Sequence, residues 1–161
     1  MTITENKPAT TRENRILKLS RVFDAPRHTV FEAWTKKEHV DQWCAPYGFS
    51  IPFSEGDVRP GGAWRSTMRS SDGTEYHLGG IYREVEQDEL LVFTQKWDDG
   101  GEETTVTVRF ADQGDGRTLV NFEQGEFETT ERRDSHEGGW DECMDRLGDY
   151  LKGMRGTPKQ K

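Results

Sequence analysis

Between residues 49 and 125 the chain repeats one pattern six times: a short run of alternating inward-type residues, then a cluster of turn formers. The runs are Phe49, Ile51, Phe53; Trp64 and Met68; Tyr76, Leu78, Gly80, Tyr82; Leu91, Phe93, Gln95, Trp97; Val106, Val108, Phe110; and Val120, Phe122, Gln124. A period of two puts each set on one face of a strand. Asp57–Gly62, Ser70–Gly73, Asp98–Gly101 and Asp112–Gly116 supply the turns. Sequential strands joined this tightly pair as an antiparallel meander. Past Thr129 the period changes. His136, Trp140, Met144, Leu147 and Leu151 recur at steps of three and four, with charges between them. That is one long amphipathic helix, which Thr129 or Thr130 can cap. A sheet with one apolar face and a helix with one apolar stripe must cover each other, and a curved sheet laid around a helix is a container.

The residues before this block add a strand and two short helices. Leu17, Leu19 and Phe23 alternate over 15–23, with Arg21 on the same face. Glu32 or Glu84 would pair that arginine inside, unless it meets a ligand carboxylate. Asp24-Ala25-Pro26 opens one helix, buried through Val30, Phe31 and Trp34. Thr35-Lys36-Lys37-Glu38 has the form of a capping box and opens the next, buried through Val40 and Trp43. The expected order is β-α-α-β-β-β-β-β-β-α. This is an α+β fold with a curved antiparallel sheet of about seven strands, two short helices and one long C-terminal helix. We expect a disordered polar tail over 1–14, one domain over 15–152 and a flexible tail over 153–161.

Charge and composition exclude several roles. The net charge is −8, from 22 basic and 30 acidic residues, so a nucleic-acid or anionic-membrane partner is not expected. No apolar run approaches a membrane span and the N-terminus lacks a hydrophobic signal region, so the expected location is cytoplasmic. Cys44 and Cys143 form no CxxC, and His28, His39 and His77 fall on different elements and form no metal pattern. No cofactor is implied. There is no GxSxG and no nucleophile beside a base.

Five segments carry a resemblance: Arg21–Pro26, Val30–Thr35, Arg59-Pro60-Gly61-Gly62, Leu91–Thr94 and Gly139-Trp140. In this order they resemble the SRPBCC, or START-like, superfamily. The branch they are most similar to is bacterial and resembles the C-terminal domain of the activator of heat shock protein 90 ATPase. The resemblance runs from about Arg15 to Lys152. It implies a helix-grip, birch-pollen-allergen-like fold with an internal cavity. It does not imply one function, because the superfamily holds carriers, cyclases and chaperone activators. Two positions depart from the branch. Cys44 stands where a second Trp often follows Trp43, and Gln95 stands where Trp is common. Both remove aromatic volume, and Gln95 also puts an amide on an inward face. That amide must bond Gln124 or a tyrosine hydroxyl, or face a ligand.

The expected pocket wall is built from the inward residues of strands and helix: Trp64, Met68, Tyr76, Tyr82, Phe93, Gln95, Trp97, Phe110, Phe122 and Gln124, with His136, Trp140, Met144 and Leu147 above them. Any one of these residues can equally be plain core. Gly138, Gly139 and Gly148 each cost about 1 kcal/mol in a helix, so the helix has some reason to carry them, such as close packing or room beside Trp140. His136 is either an acid–base group at the pocket mouth or a structural residue bonded to Glu123 or Glu126. The acidic runs 98–103 and 123–131 read as solvated faces. Three functions fit, in this order: a non-enzymatic carrier of an apolar or aromatic molecule, related to stress; a module that docks on a heat shock protein 90-type chaperone; and a cyclase-like enzyme using His136, Tyr76 or Tyr82.

Overall fold

The computed structural model describes residues 13–156, with side chains to Met154; of the expected tails over 1–14 and 153–161, residues 1–12 and 157–161 lie outside the described residues. A 3-10 turn, Glu13–Arg15, leads into β1 (Leu17–Phe23). Two helices follow, α1 (Arg27–Thr35) and α2 (Lys37–Trp43). Then come β2 (Phe49–Gly56), β3 (Ala63–Ser70), β4 (Glu75–Glu86), β5 (Leu90–Trp97), β6 (Thr104–Gly114) and β7 (Arg117–Gly125). The chain closes on α3 (Thr130–Gly156), which continues four residues past the expected end of the domain.

All seven strands form one curled antiparallel half-barrel in the order β1-β7-β6-β5-β4-β3-β2. The meander from β2 to β7 is as expected, and β1 adds to its far edge beside β7. The chain therefore has to cross from one edge to the other between β1 and β2, and α1 and α2 make that crossing. Turn chemistry fits each hairpin. Asp115 and Gly116, both at positive φ (57° and 73°), form the two-residue β6–β7 turn, a conformation that Asp-Gly accepts readily. Bulges at Ser50/Phe53, Tyr82/Glu84 and Asp112/Gly114 add twist and help the sheet curl.

The Gly79-Gly80 pair is a close approach rather than a bulge. The β3–β4 register runs unbroken through it. A Cβ on Gly80 would lie 1.8 Å from the Thr94 carbonyl oxygen, and one on Gly79 would lie 2.7 Å from that of Trp64. Side chains are excluded there because two strand backbones need the space.

Helix starts differ from the sequence reading at two places. Pro26, not Asp24, is the N-cap of α1, and no side chain caps it. The capping box at Thr35 does not form: Thr35 ends α1, and its hydroxyl donates back to the Phe31 carbonyl at 3.1 Å. A hydroxyl one turn after a helix carbonyl bonds back to that acceptor and so does not serve the next helix. Thr129 does cap α3, accepting from the Arg132 N–H at 3.1 Å.

The core lies under the β1-β7-β6 half of the sheet. Phe31, Trp34, Phe110, Val120, Phe122, Met144, Leu147 and Leu151 are buried there. Trp34 stacks on Trp140 at 5.8 Å and meets Trp43 edge-on at 4.8 Å. Each large side chain buried this fully contributes about 1.5–3 kcal/mol. Arg21 does face the helix side, but its partners are Asp141 and Asp145 on α3, at 2.7 and 2.6 Å. Glu32 and Glu84 are not involved, because β1 is an edge strand and α3 runs alongside it. Glu102 departs from the solvated reading of its run: only 11% of its side chain is exposed, it accepts from the Glu128 N–H, and it pairs with Arg132 at 3.1 Å.

Candidate functional site

The core fills only half of the concave face. Over β2 to β5 the sheet curls away from α3, and a cavity of about 480 Å³ remains. Its floor is the inward face of four strands. Trp64, Met68, Tyr76, Leu78, Tyr82, Phe93, Gln95 and Trp97 all border it. Its roof is the first half of α3, through His136, Gly139, Trp140 and Cys143. Its end wall is Trp34, Val40, Cys44 and Pro46 from α1, α2 and the loop behind them. Lys37, Glu55, Tyr76, Asp99 and Ser135 are both lining and exposed, and they mark the rim.

Nine of the fourteen residues expected at the wall therefore border the cavity. Phe110, Phe122, Gln124, Met144 and Leu147 do not; they belong to the core. Phe122 lies 4.5 Å from the Trp140 ring, and Phe110 lies 5.3 Å from that of Phe31. Those contacts use up the β6–β7 half of the face. Gln124 is engaged at both ends of its amide: its nitrogen donates to Thr104 at 2.9 Å, and its oxygen accepts from the Trp140 indole at 2.8 Å. Gln95 does not bond it. Reading the strands could not supply the end wall, since Cys44 and Pro46 sit in a non-periodic stretch. The one signal there was Cys44 itself, a small residue in place of an aromatic one.

Local structure fixes the polar groups. His136 sits on the first turns of α3. Its Nδ1 donates to the Arg132 carbonyl at 2.9 Å, and its Nε2 accepts from the Trp97 indole at 3.2 Å. The expected partners, Glu123 and Glu126, are not involved. Burial pushes the imidazole's pKa down, so the neutral form dominates. The Arg59–Gly62 loop folds back on β4: Gly61 donates to the Tyr82 carbonyl and Tyr82 donates to that of Gly62, both at 2.8 Å. That loop holds Tyr82 in place, with its ring 5.7 Å from that of Phe93. The Trp64 indole donates to the Thr94 carbonyl at 3.0 Å, which locks the opposite wall.

Arg146 anchors the end wall. Its Nη1 donates to the carbonyls of Ala45, Pro46 and Phe49 at 2.6, 3.0 and 3.1 Å. Glu142 accepts from the Tyr47 N–H at 3.0 Å. Burial pushes the Cys44 thiol up to about 12 and that of Cys143 well above its ordinary value, so both behave as small apolar groups. Gly139 borders the cavity with only Pro46 Cγ near its Cβ direction, and Gly148 packs near the Phe23 ring; nothing in the structure explains Gly138. No group of three or more metal-ligating side chains occurs among the described residues, and none of their helices is long and apolar enough to cross a membrane.

A curled antiparallel sheet gripping a long helix, with a ligand-sized cavity between them, defines a helix-grip protein of the SRPBCC superfamily. More narrowly, the chain belongs to the Activator of Hsp90 ATPase homolog 1-like protein family, which matches over residues 24–152. This is a family of ligand-binding or Hsp90-activator-like proteins. Solved structures agree. The AHSA1 (SPO3351) protein from Silicibacter pomeroyi is 26% identical with a TM-score of 0.76, covering 85% of this chain and 97% of that one. Protein NE0264 from Nitrosomonas europaea is 23% identical with a TM-score of 0.76, covering 88% and 97%. A protein from Arthrobacter aurescens, solved in solution, is 20% identical with a TM-score of 0.78, covering 89% and 90%. No curated protein matches the chain.

Proposed function

We propose that this protein binds a small apolar or aromatic molecule between its sheet and its last helix. The observation that carries this reading is the cavity of about 480 Å³, whose bulkiest wall residues are Trp, Tyr, Phe, Met and Leu, with the charged residues Lys37, Glu55 and Asp99 at its rim. Ligand pockets commonly have this size and make-up. Holding fits better than converting, because both ring nitrogens of His136 are already engaged. Amide and indole shift mapping against sterols, fatty acids, flavonoids and aromatic metabolites tests the proposal. Shifts clustered on Trp64, Gln95, Trp97 and residues 136–143 support it, and a flat response across the panel overturns it.

Family membership favours a second reading, in which the protein docks on a heat shock protein 90-type chaperone. Asp134, Asp141, Asp145 and Asp149 are exposed along α3, where a basic partner surface would compete with Arg133 for the first and with Arg21 for the next two. Failure to stimulate the ATPase of the host's own chaperone would remove that reading.

A further inference from the structure

The chain has two cysteines, far apart in sequence, and both border the cavity. Cys44 closes α2 and is half-buried, whereas Cys143 lies on α3 and is buried. Contacts on either side set them opposite each other. Gly139, Cys143 and Arg146 follow at steps of four and three, so they share one face of α3. Gly139 lies over Pro46, with Pro46 Cγ 3.6 Å from its Cβ direction. Arg146 donates to the carbonyls of Gln42, Ala45 and Pro46 at 3.5, 2.6 and 3.0 Å. Cys143 falls between Gly139 and Arg146 on the helix, and Cys44 falls between Gln42 and Ala45 on the segment they clasp. The thiols also act on one another. Burial first, and then the Cys44 thiol beside it, push the Cys143 thiol well above its ordinary value.

A single cysteine in such a wall is a small apolar filler. Two that face each other from different elements can be bridged by one thiophilic atom. The surroundings decide which atom suits them. Burial holds the Cys44 thiol up to about 12, so both sulfurs keep their protons at neutral pH. A metal ion needs both thiols deprotonated first, against that burial. A trivalent arsenic oxide, R–As=O, does not: it condenses with two thiols to give R–As(SR′)2 and water. The As=O bond and two S–H bonds break, and two As–S bonds form. Both protons leave on the oxide oxygen, arsenic stays trivalent, and no charge is left in the wall. The organic group on arsenic has an apolar surface at hand. Trp140 stands one turn before Cys143 with its ring stacked on Trp34 at 5.8 Å, and both rings border the cavity.

We propose that Cys44 and Cys143 form a dithiol site that captures trivalent organic arsenic compounds, bridging the end wall to α3 through one arsenic atom. This goes beyond the reversible binding proposed above and needs of it only that the cavity admits a small molecule.

The test adds phenylarsine oxide to the reduced full chain at pH 7 and reads the product by mass spectrometry. One phenylarsenic unit per chain should appear, with one water lost, and the tryptic peptides carrying Cys44 and Cys143 should be joined through it. Against glutathione as competitor, wild type should hold the arsenical at least about a hundredfold more tightly than Cys44→Ala or Cys143→Ala, because its second As–S bond closes within the molecule. Unmoved amide shifts at Leu91 and Val106 report an intact core, and Cys44→Ala alone decides if Cys143→Ala does not fold. The proposal is overturned if wild type forms no adduct, or holds it no better than the single-cysteine variant. Reversible ligand binding would then still stand on its own panel of sterols, fatty acids, flavonoids and aromatic metabolites. A flat response in that panel with the adduct formed would remove reversible binding and leave the dithiol site.

Discussion

The Trp97 indole donates to His136 Nε2 at 3.2 Å and so joins the end of β5 to the start of α3. The bond requires an unprotonated Nε2, and the Arg132 carbonyl holds the proton on Nδ1. A second proton would set two N–H donors against each other.

Stability should therefore fall in mild acid. The folded pKa of His136 lies below its unfolded value of 6.5, mainly through burial. The unfolded chain then binds more protons over that interval, so stability rises with pH. The contribution is complete above about pH 6.5 and is lost as pH drops below it. Exposed His28 acts in the opposite direction: a hydrogen bond with Asp88, helped by Glu32, raises its pKa. Its contribution is present below pH 6.5 and lost as pH rises through its folded pKa. Melting temperatures from pH 5 to 8 should consequently fall more steeply toward acid in wild type than in His136→Gln. Identical slopes would disprove the assignment.

The two inward glutamines should respond oppositely. Gln124→Leu strands the Trp140 indole and removes the donor to the Thr104 hydroxyl, and should cost about 1–3 kcal/mol. Gln95→Leu strands no described protein group, and should be neutral or stabilising in the ligand-free protein. Urea unfolding with an unchanged m-value measures both.

Gly139→Ala should separate folding from binding. The new Cβ meets only Pro46 Cγ, at an ordinary 3.6 Å, and a helix interior favours Ala by about 0.5–1 kcal/mol. The unfolding midpoint should rise, while the dissociation constant for a ligand found by the shift mapping should also rise as the roof thickens. Gly80→Ala, driven into the Thr94 carbonyl, should cost about 3 kcal/mol or more.

Arg146→Met should loosen the end wall. It removes the donor to the Ala45, Pro46 and Phe49 carbonyls and should cost about 1.5–3 kcal/mol. Hydrogen exchange at Tyr47 and Phe49 should accelerate more than at Leu91 and Val108 in the sheet. Uniform acceleration would mean global destabilisation rather than a freed segment.

The sheet was legible from residue order because its signals are local. Alternation from Phe49 to Gln124, the Asp-Gly turn at 115–116 and the change of period after Thr129 each depend on neighbours within a few positions. Strand parity also placed Tyr82, Gln95 and Trp97 at the wall. Parity could not separate Gln95 from Gln124, which occupy equivalent inward positions on different strands. That distinction is one of distance across the sheet. The last helix lies against β1, where Arg21 meets Asp141 and Asp145, and Trp140 fills the space over Phe122 and Gln124. Because the sheet curls, it stands off from β3 to β5 and leaves Gln95 facing a cavity. The sequence by itself determined which side chains share a face, since that follows from backbone geometry. Only the tertiary structure decided which of them are covered, since that depends on how far a helix at one edge can reach across a curved sheet.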